Sequence, residues 1–515
     1  MLHPFLLATR LLFFFARVEE HPAAKCLGLK DTLQLENTTI IHVAYITAPT
    51  NVSTAGSCQS SAPVTAAPLC RVYLVINTTA TSAVHAEAWL PDTWYGRFLG
   101  LGNSGLGGCI DYNSLDYGTS LHFATIGSDN GHDGPDGRAF LNHPEVINDF
   151  AWRAVHSEAV IGKQIVEAYY GTPAAKSYYL GCSTGGRQGT QAAFKFPEDF
   201  DGIVAGAPAT DFNNVLGWEG MLSHYIGGTN VDFTPTSPAF ISPELWTVIS
   251  AEILRQCDSL DGLQDGIITE PEACLFRPEA IQCTDHHTTL CLTPVQVEAV
   301  KNIYSPLFGL DGQLVYPRYP PGAEADPVAA IIFGGNFSNL GVADWERYAV
   351  LNVTEHSFTN FSLHDIVLLD EVNPGGIATF NGDLSSFRHR GGKFLTYHGQ
   401  RDPLISSINS KRVYDLISHT LSLPLLDDFY RLFLIPGMGH CVGGLGATSL
   451  GQGILPGTNI VNDSTHNILL ALVDWVEDGV APATIIGSDG MGTERTHCRY
   501  PMRSVFDGTV FVCTA

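Results

Sequence analysis

The sequence predicts an α/β fold, a mostly parallel sheet covered by helices and interrupted by one large insertion. Between residues 70 and 210, short β-prone runs alternate with helical stretches, which is the rhythm of strand–helix–strand units. Within that stretch, Gly181-Cys182-Ser183-Thr184-Gly185 fits G-x-S-x-G, where a sharp strand-to-helix turn lifts a serine hydroxyl clear of the sheet. The rhythm stops near residue 212 and starts again at residue 393 with two more strands of the same kind.

The β-prone runs cover residues 71–76, 83–89, 97–102, 123–127, 177–180 and 202–205. Residues 145–170 make the clearest helix, because Val146, Phe150, Val155, Val160 and Ile165 recur near the 3.6-residue period. Run 177–180 leads into the serine turn and the helix-prone stretch 187–196 leaves it, so the turn sits where its mechanics require. Its glycines matter because only a residue without Cβ lets the chain reverse so tightly. From 212 to about 385 the chain is rich in Pro, Asn and aromatic residues and shows few buried-strand runs. Residues 393–398 and 431–435 resume the sheet, and 466–477 form a closing helix. The expected division is a core of residues 21–212 and 385–515, an inserted lid of residues 213–384, and a leader over residues 1–20.

The chain holds 27 Lys and Arg against 52 Asp and Glu, a formal net charge of −25. That charge repels nucleic acid and anionic membranes and suits mildly acidic surroundings. No apolar run approaches the length of a membrane span, so neither nucleic acid nor a membrane is an expected partner. Twelve cysteines include the close pairs Cys257/Cys274, Cys283/Cys291 and Cys498/Cys513, none with C-x-x-C spacing, which favours disulfides over zinc. Seven N-x-S/T sequons start at Asn37, Asn51, Asn77, Asn336, Asn352, Asn360 and Asn462. Chance alone gives about three. Both features point to a secreted glycoprotein. Residues 11–16, after Arg10, are at the short edge of a signal-peptide core, so the expectation of secretion rests on the cysteines and sequons.

A serine hydroxyl is a weak nucleophile until a neighbouring base takes its proton, so Ser183 calls for a histidine and a carboxylate. In an α/β-hydrolase core these follow in the order Ser, Asp, His, in loops after later strands. Asp402 follows strand 393–398, and His440 follows strand 431–435. Asp201 is a rival acid but precedes its strand; His497 is a rival base with no core strand leading into it. Cys182 precedes the serine and Cys441 follows the histidine. A disulfide spans about 5.5 Å between Cα atoms, and neighbouring Cα atoms lie about 3.8 Å apart. Bridging these cysteines would therefore hold the Ser183 and His440 backbones within roughly 13 Å. The oxyanion of acyl transfer needs donors as well. Thr184 N–H, directly after the nucleophile, is one candidate. The loop Gly102-Asn103-Ser104-Gly105-Leu106-Gly107-Gly108 offers the other; which of its glycines donates stays open, with Gly105 as the candidate.

In the insertion, Asp258, Asp261 and Asp265 place three carboxylates within eight residues, with Gly262 and Gly266 allowing tight turns. Hard oxygen ligands at this spacing, with main-chain carbonyls between them, suit Ca²⁺; a solvated acidic turn is the plainer alternative. The spacing is not that of an EF-hand.

Taken together, the Cys182-Ser183 pair in its glycine-rich turn, Asp402 and the His440-Cys441 pair resemble the pattern of the tannase and feruloyl esterase family. The resemblance spans Cys26 to Cys513. It implies an α/β-hydrolase core with a large inserted lid, and a structural Ca²⁺ held by Asp258, Asp261, the Leu263 carbonyl, Asp265 and the Ile267 carbonyl. It also implies the disulfides Cys26–Cys70, Cys58–Cys109, Cys182–Cys441, Cys257–Cys274, Cys283–Cys291 and Cys498–Cys513. The implied activity is that of a secreted serine esterase on feruloyl, p-coumaroyl or caffeoyl esters of plant cell-wall polysaccharides. A tannase acting on galloyl esters is the alternative. An inactive carbohydrate-binding homologue is disfavoured by the intact Ser–Asp–His set, and a peptidase by the lack of a charged substrate anchor. The expected assembly is a monomer or homodimer. Trp218, Phe233, Phe333 and Phe361 are candidates for the aromatic side chains over Ser183 that select the acid.

Overall fold

The computed structural model describes residues 21–54, 57–58, 63–228, 237–284, 290–453 and 461–515, so the expected leader and Phe233 lie outside the described residues. Nine strands form one mixed sheet. They are β1 (Thr38–Ile46), β2 (Leu69–Asn77), β3 (Ala83–Pro91), β4 (Arg97–Leu101), β5 (Phe123–Ser128), β6 (Lys176–Cys182), β7 (Gly202–Gly206), β8 (Lys393–Gly399) and β9 (Tyr430–Ile435). Their order is β1-β2-β3-β5-β4-β6-β7-β8-β9. From β5 to β9 the neighbours are parallel, and β1, β2 and β3 extend one edge as antiparallel strands. The sequence reading misses β1 because only Val43 of that strand is buried, which leaves no clean alternation to read.

Period-two alternation sends neighbouring side chains to opposite faces of the sheet. Phe98, Tyr179, Ile203, Phe394 and Leu432 enter one apolar core, while Leu99, Tyr178, Val204, Leu395 and Phe433 enter the other. Helix α1 (Ala154–Tyr170) covers the first face through Val155, Ala159 and Ile165; the closing helix Ile468–Glu477 covers the second through Leu469, Leu472 and Val473. Burying each such aliphatic side chain stabilises the fold by about 1.5–3 kcal/mol relative to leaving it in water.

The periodic stretch 145–170 is not one regular helix. Pro144–Asn148 and α1 are joined by a π-helical turn, Asp149–Arg153. Polar contacts from distant elements meet the wide turn. The buried Asp149 carboxylate accepts from Thr78, Ser82 and Arg153. The carbonyls of Phe150 and Ala151 accept from the fully buried Arg187 guanidinium at 3.1 and 2.6 Å.

Between β7 and β8 the chain is mainly helical, with Phe212–Tyr225 (α2), Pro243–Cys257, Pro294–Ile303 and Leu363–Val372 as its longer helices. Its side chains Trp218, Ile249, Val300, Tyr319, Trp345 and Ile366 form a third apolar core, continuous with Leu106, Phe140 and Phe150 of the sheet layer.

Candidate active site

Ser183 stands between the end of β6 and the helix Thr184–Lys195, at φ 63° and ψ −122°. That conformation is strained for a residue with a Cβ, and the surroundings over-determine it. Ser183 N donates to Gly206 O at 3.0 Å, and Ser183 O accepts from Ala209 N at 3.2 Å. A Cβ on Gly181 would lie 2.7 Å from the Gly185 carbonyl carbon, so a larger residue there would push the helix off the strand.

Asp402 and His440 occupy the loops after β8 and β9, as the sequence suggests. His440 Nδ1 lies 2.8 Å from Asp402 Oδ2. The other carboxylate oxygen, Oδ1, accepts from Leu404 N and Ile405 N at 2.9 and 3.0 Å. Burial pushes the Asp402 carboxyl up, but the charge and hydrogen bonds of His440 and His398 outweigh it and hold the group well below the ordinary range. For His440, burial opposes the charged imidazolium; the charge and hydrogen bond of Asp402, helped by Asp326, raise its pKa overall. Ser183 and His440 line the same cleft, of about 410 Å³, together with Cys182 and Cys441. The two cysteines are bonded.

The loop after β4 is anchored to the helix Thr184–Lys195 by a reciprocal amide pair. Gln188 Oε1 accepts from Asn103 N at 2.9 Å, and Gln188 Nε2 donates to Asn103 Oδ1 at 3.1 Å. Asn103 Nδ2 in turn donates to the carbonyls of Cys109 and Ser128. Further along, Thr184 Oγ1 donates to Gly105 O at 2.7 Å, and His132 Nε2 donates to Leu106 O at 2.8 Å. The two expected oxyanion donors, Thr184 and Gly105, are thus joined directly. Asn103 and Ser104 line the cleft, whereas Gly105 is not among its lining residues.

A family model described as "Tannase and feruloyl esterase" matches residues 70–515. The chain belongs to the tannase and feruloyl esterase family. It is 43% identical over 499 residues to "Probable feruloyl esterase B-2" of Aspergillus oryzae, covering 94% of this chain and 93% of the relative. Among solved structures, an esterase from Aspergillus oryzae superposes with a TM-score of 0.91 at 42% identity, covering 96% of this chain and 100% of that one. Feruloyl esterase B from Aspergillus oryzae follows at 0.90 and 38%, with the same coverage. A tannin acyl hydrolase from Aspergillus niger, 22% identical at a TM-score of 0.72, shares the fold.

All six cysteine pairings implied by the resemblance to this family are present, and no cysteine is free. The rival residues have other duties. Asp201 accepts from Ser177 N and pairs with Arg390 at the opposite end of the strands. His497 is fully buried and bonded to Ala447 O, and burial lowers its pKa to about 4. Trp218, Phe333 and Phe361 are buried within the third core, so none of the described aromatic candidates lines the cleft. Ser104, from the loop after β4, and Asp111 and Asn113, which sequence reading did not single out, add polar groups to the cleft lining.

In the acidic loop, Gly262 and Gly266 adopt φ of 89° and 78°. One oxygen of each carboxylate accepts a backbone N–H: Asp258 from Gly266, Asp261 from Leu263, Asp265 from Ile267, at 3.0–3.1 Å. Burial first, then the like charges of Asp265 and Asp261, raises the Asp258 pKa. Among the described residues no group of three or more His, Cys, Asp or Glu side chains gathers closely enough to hold a metal unaided. A hard cation here would need main-chain oxygens as well.

Proposed function

We propose that this chain is a secreted serine esterase that hydrolyses hydroxycinnamoyl esters of plant cell-wall polysaccharides. The observation that carries the chemistry is the His440–Asp402 contact of 2.8 Å beside a cleft shared with Ser183. The high identity to relatives named feruloyl esterase favours a cinnamoyl over a galloyl acid.

In this reading Ser183 Oγ attacks the ester carbonyl while His440 Nε2 takes its proton. Asp402, hydrogen-bonded to Nδ1, fixes the tautomer and stabilises the imidazolium. Thr184 N–H and a donor from the Gly105 segment stabilise the tetrahedral oxyanion. His440 returns the proton to the leaving alcohol, and water then releases the acid from Ser183. Residues 21–212 and 385–515 form the catalytic core, and residues 213–384 act as a lid over it. Asp258, Asp261 and Asp265, with the carbonyls of Leu263 and Ile267, hold a Ca²⁺ that braces the lid. Secretion is supported by the six disulfides. Six of the seven sequon asparagines are exposed and Asn336 is half-buried, as glycosylation requires. No described helix is long and apolar enough to cross a membrane.

The test compares methyl ferulate, methyl caffeate and methyl gallate with wild type and Ser183→Ala. Cinnamate turnover that vanishes in the variant is expected. Turnover of gallate alone would move the chain to the tannase reading. Activity surviving in Ser183→Ala would overturn the triad.

A further inference from the structure

His398 lies in β8, fully buried, four residues before Asp402. Its Nε2 is 3.3 Å from Asp402 Oδ2 and 2.9 Å from Ile405 O. Its Nδ1 is 2.7 Å from Ser410 Oγ, on the helix Ser407–Leu421. Both groups facing Nε2 are acceptors, so Nε2 carries the hydrogen, and Nδ1 accepts from the Ser410 hydroxyl. The tautomer is therefore fixed by its neighbours.

We propose that His398 is a positioning residue of the triad, a second N–H donor that shares Asp402 Oδ2 with His440. The inference rests on the reading of Ser183, Asp402 and His440 as catalytic. An ionised carboxylate offers about four acceptor sites. At Asp402, Leu404 N and Ile405 N donate to Oδ1 and His440 to Oδ2, and His398 Nε2, which also bonds Ile405 O, stands 3.3 Å from Oδ2. A carboxylate held on both oxygens cannot rotate away from His440. The second imidazole also draws off part of the negative charge that His440 would otherwise meet alone. Other charges reach the pair: Glu219 on α2 faces Asp402, and Asp326, 3.7 Å from Arg401, faces His440. Tyr316 and Tyr319 also sense Asp402. None of these donates a hydrogen bond to Oδ2, so none replaces His398.

The test is the pH dependence of kcat and kcat/KM for methyl ferulate. His398→Leu removes the donor, leaving a more concentrated charge on Asp402 that favours the His440 imidazolium. The acid limb of kcat/KM should move to higher pH, and kcat should fall about tenfold or more with KM little changed. His398→Gln places an amide N–H where Nε2 stood and should restore both. Ser410→Ala, which only loosens the ring, should move the acid limb the same way by less. A purely structural role would lower the melting temperature in all three variants and leave the acid limb in place, which would overturn the proposal. If His398→Leu does not fold, an unmoved acid limb in Ser410→Ala overturns it equally. Activity retained by Ser183→Ala would instead remove the triad reading itself, whatever the His398 variants do.

Discussion

Cys182 and Cys441 place their Cα atoms 6.1 Å apart, and their bond joins the residue before Ser183 to the residue after His440 across 259 positions of chain. Ser183 and His440 stand in loops after different strands, so any relative movement of β6 and β9 would separate them. The bond removes that freedom. In the double variant Cys182→Ala/Cys441→Ala, stability should fall by about 2–5 kcal/mol. At a temperature where the variant is still folded, kcat for methyl ferulate should fall by up to about 100-fold with a smaller change in KM. Melting curves read the first effect and steady-state kinetics the second. A stability loss with intact kcat would make the bond a staple without a part in alignment.

The Gln188–Asn103 pair should matter to the same reaction by a different route. Gln188→Ala leaves the buried Asn103 N–H without its acceptor, a loss of about 1–3 kcal/mol in stability. It also frees the loop that carries Ser104 and Gly105. The expected kinetic signature is a lower kcat at nearly constant KM, bounded by the 10²–10³-fold effect of about one lost oxyanion donor. Gln188→Glu keeps the acceptor for Asn103 N but loses the donor to Asn103 Oδ1 and Asn130 Oδ1, so it should fall between the two. Equal kcat in all three proteins would show that the loop holds its shape without the pair.

These two predictions draw on different kinds of legibility. Ser183, Asp402 and His440 were readable because each follows its own strand in a fixed order, and the flanking cysteines marked two of them. Gln188 and His398 carry no such mark. One is a mid-helix residue and the other a strand residue, and nothing local says which partner each will face. The π turn at Asp149–Arg153 escaped for the same reason, since Arg187 and Thr78, which hydrogen-bond to it, come from distant elements. Trp218, Phe333 and Phe361 show the opposite error: large apolar rings in a long insertion serve first to build its core. Asp111 and Asn113, whose residue types are ordinary for a loop and a helix start, are among the residues that line the cleft instead.

With His440 as the proposed base, its titration sets the acid limb of activity. Its pKa is raised above the ordinary 6.5, with Asp402 and Asp326 overcoming the effect of burial. A base works only when unprotonated, so kcat/KM should fall as pH drops through a value above 6.5. In Asp402→Asn the charge that favours the imidazolium is gone. The limb should then move to lower pH while kcat drops by up to about 10⁴-fold, because the tautomer is no longer fixed. An unmoved limb in Asp402→Asn would assign it to a group other than His440.

The proposed Ca²⁺ is tested through stability rather than rate. Removing it with a chelator should lower the melting temperature, and added Ca²⁺ should restore it while added Mg²⁺ does not, because Mg²⁺ demands a tighter octahedral set of oxygens. In Asp261→Asn the chelator response should shrink, since one charged oxygen donor is lost. A melting temperature indifferent to chelation would return the loop at 258–267 to the plainer reading of a solvated acidic turn.

The last prediction concerns buried acids outside the reaction. Burial first, and then the nearby Asp402, raises the Glu219 pKa from 4.5 to about 8, and burial raises Glu158 well above the ordinary value. A carboxyl whose pKa is higher in the folded chain holds its proton more tightly there than in the unfolded chain. Its contribution is complete below the unfolded value and is lost as pH rises through the folded one. For Glu219 that window runs from 4.5 to about 8. Asp402 has the opposite sign: its pKa is lowered by His440 and His398 against burial, so its contribution is lost only as pH falls below the ordinary carboxylate range. The melting temperature should therefore be highest on the mildly acidic side and decline toward pH 8. Glu219→Gln cannot ionise, so its decline should be shallower than that of wild type. At about pH 8 the variant should gain about 2–5 °C relative to its standing at about pH 5. Parallel melting curves for the two proteins over that range would mean that Glu219 is already ionised and solvated in the folded chain.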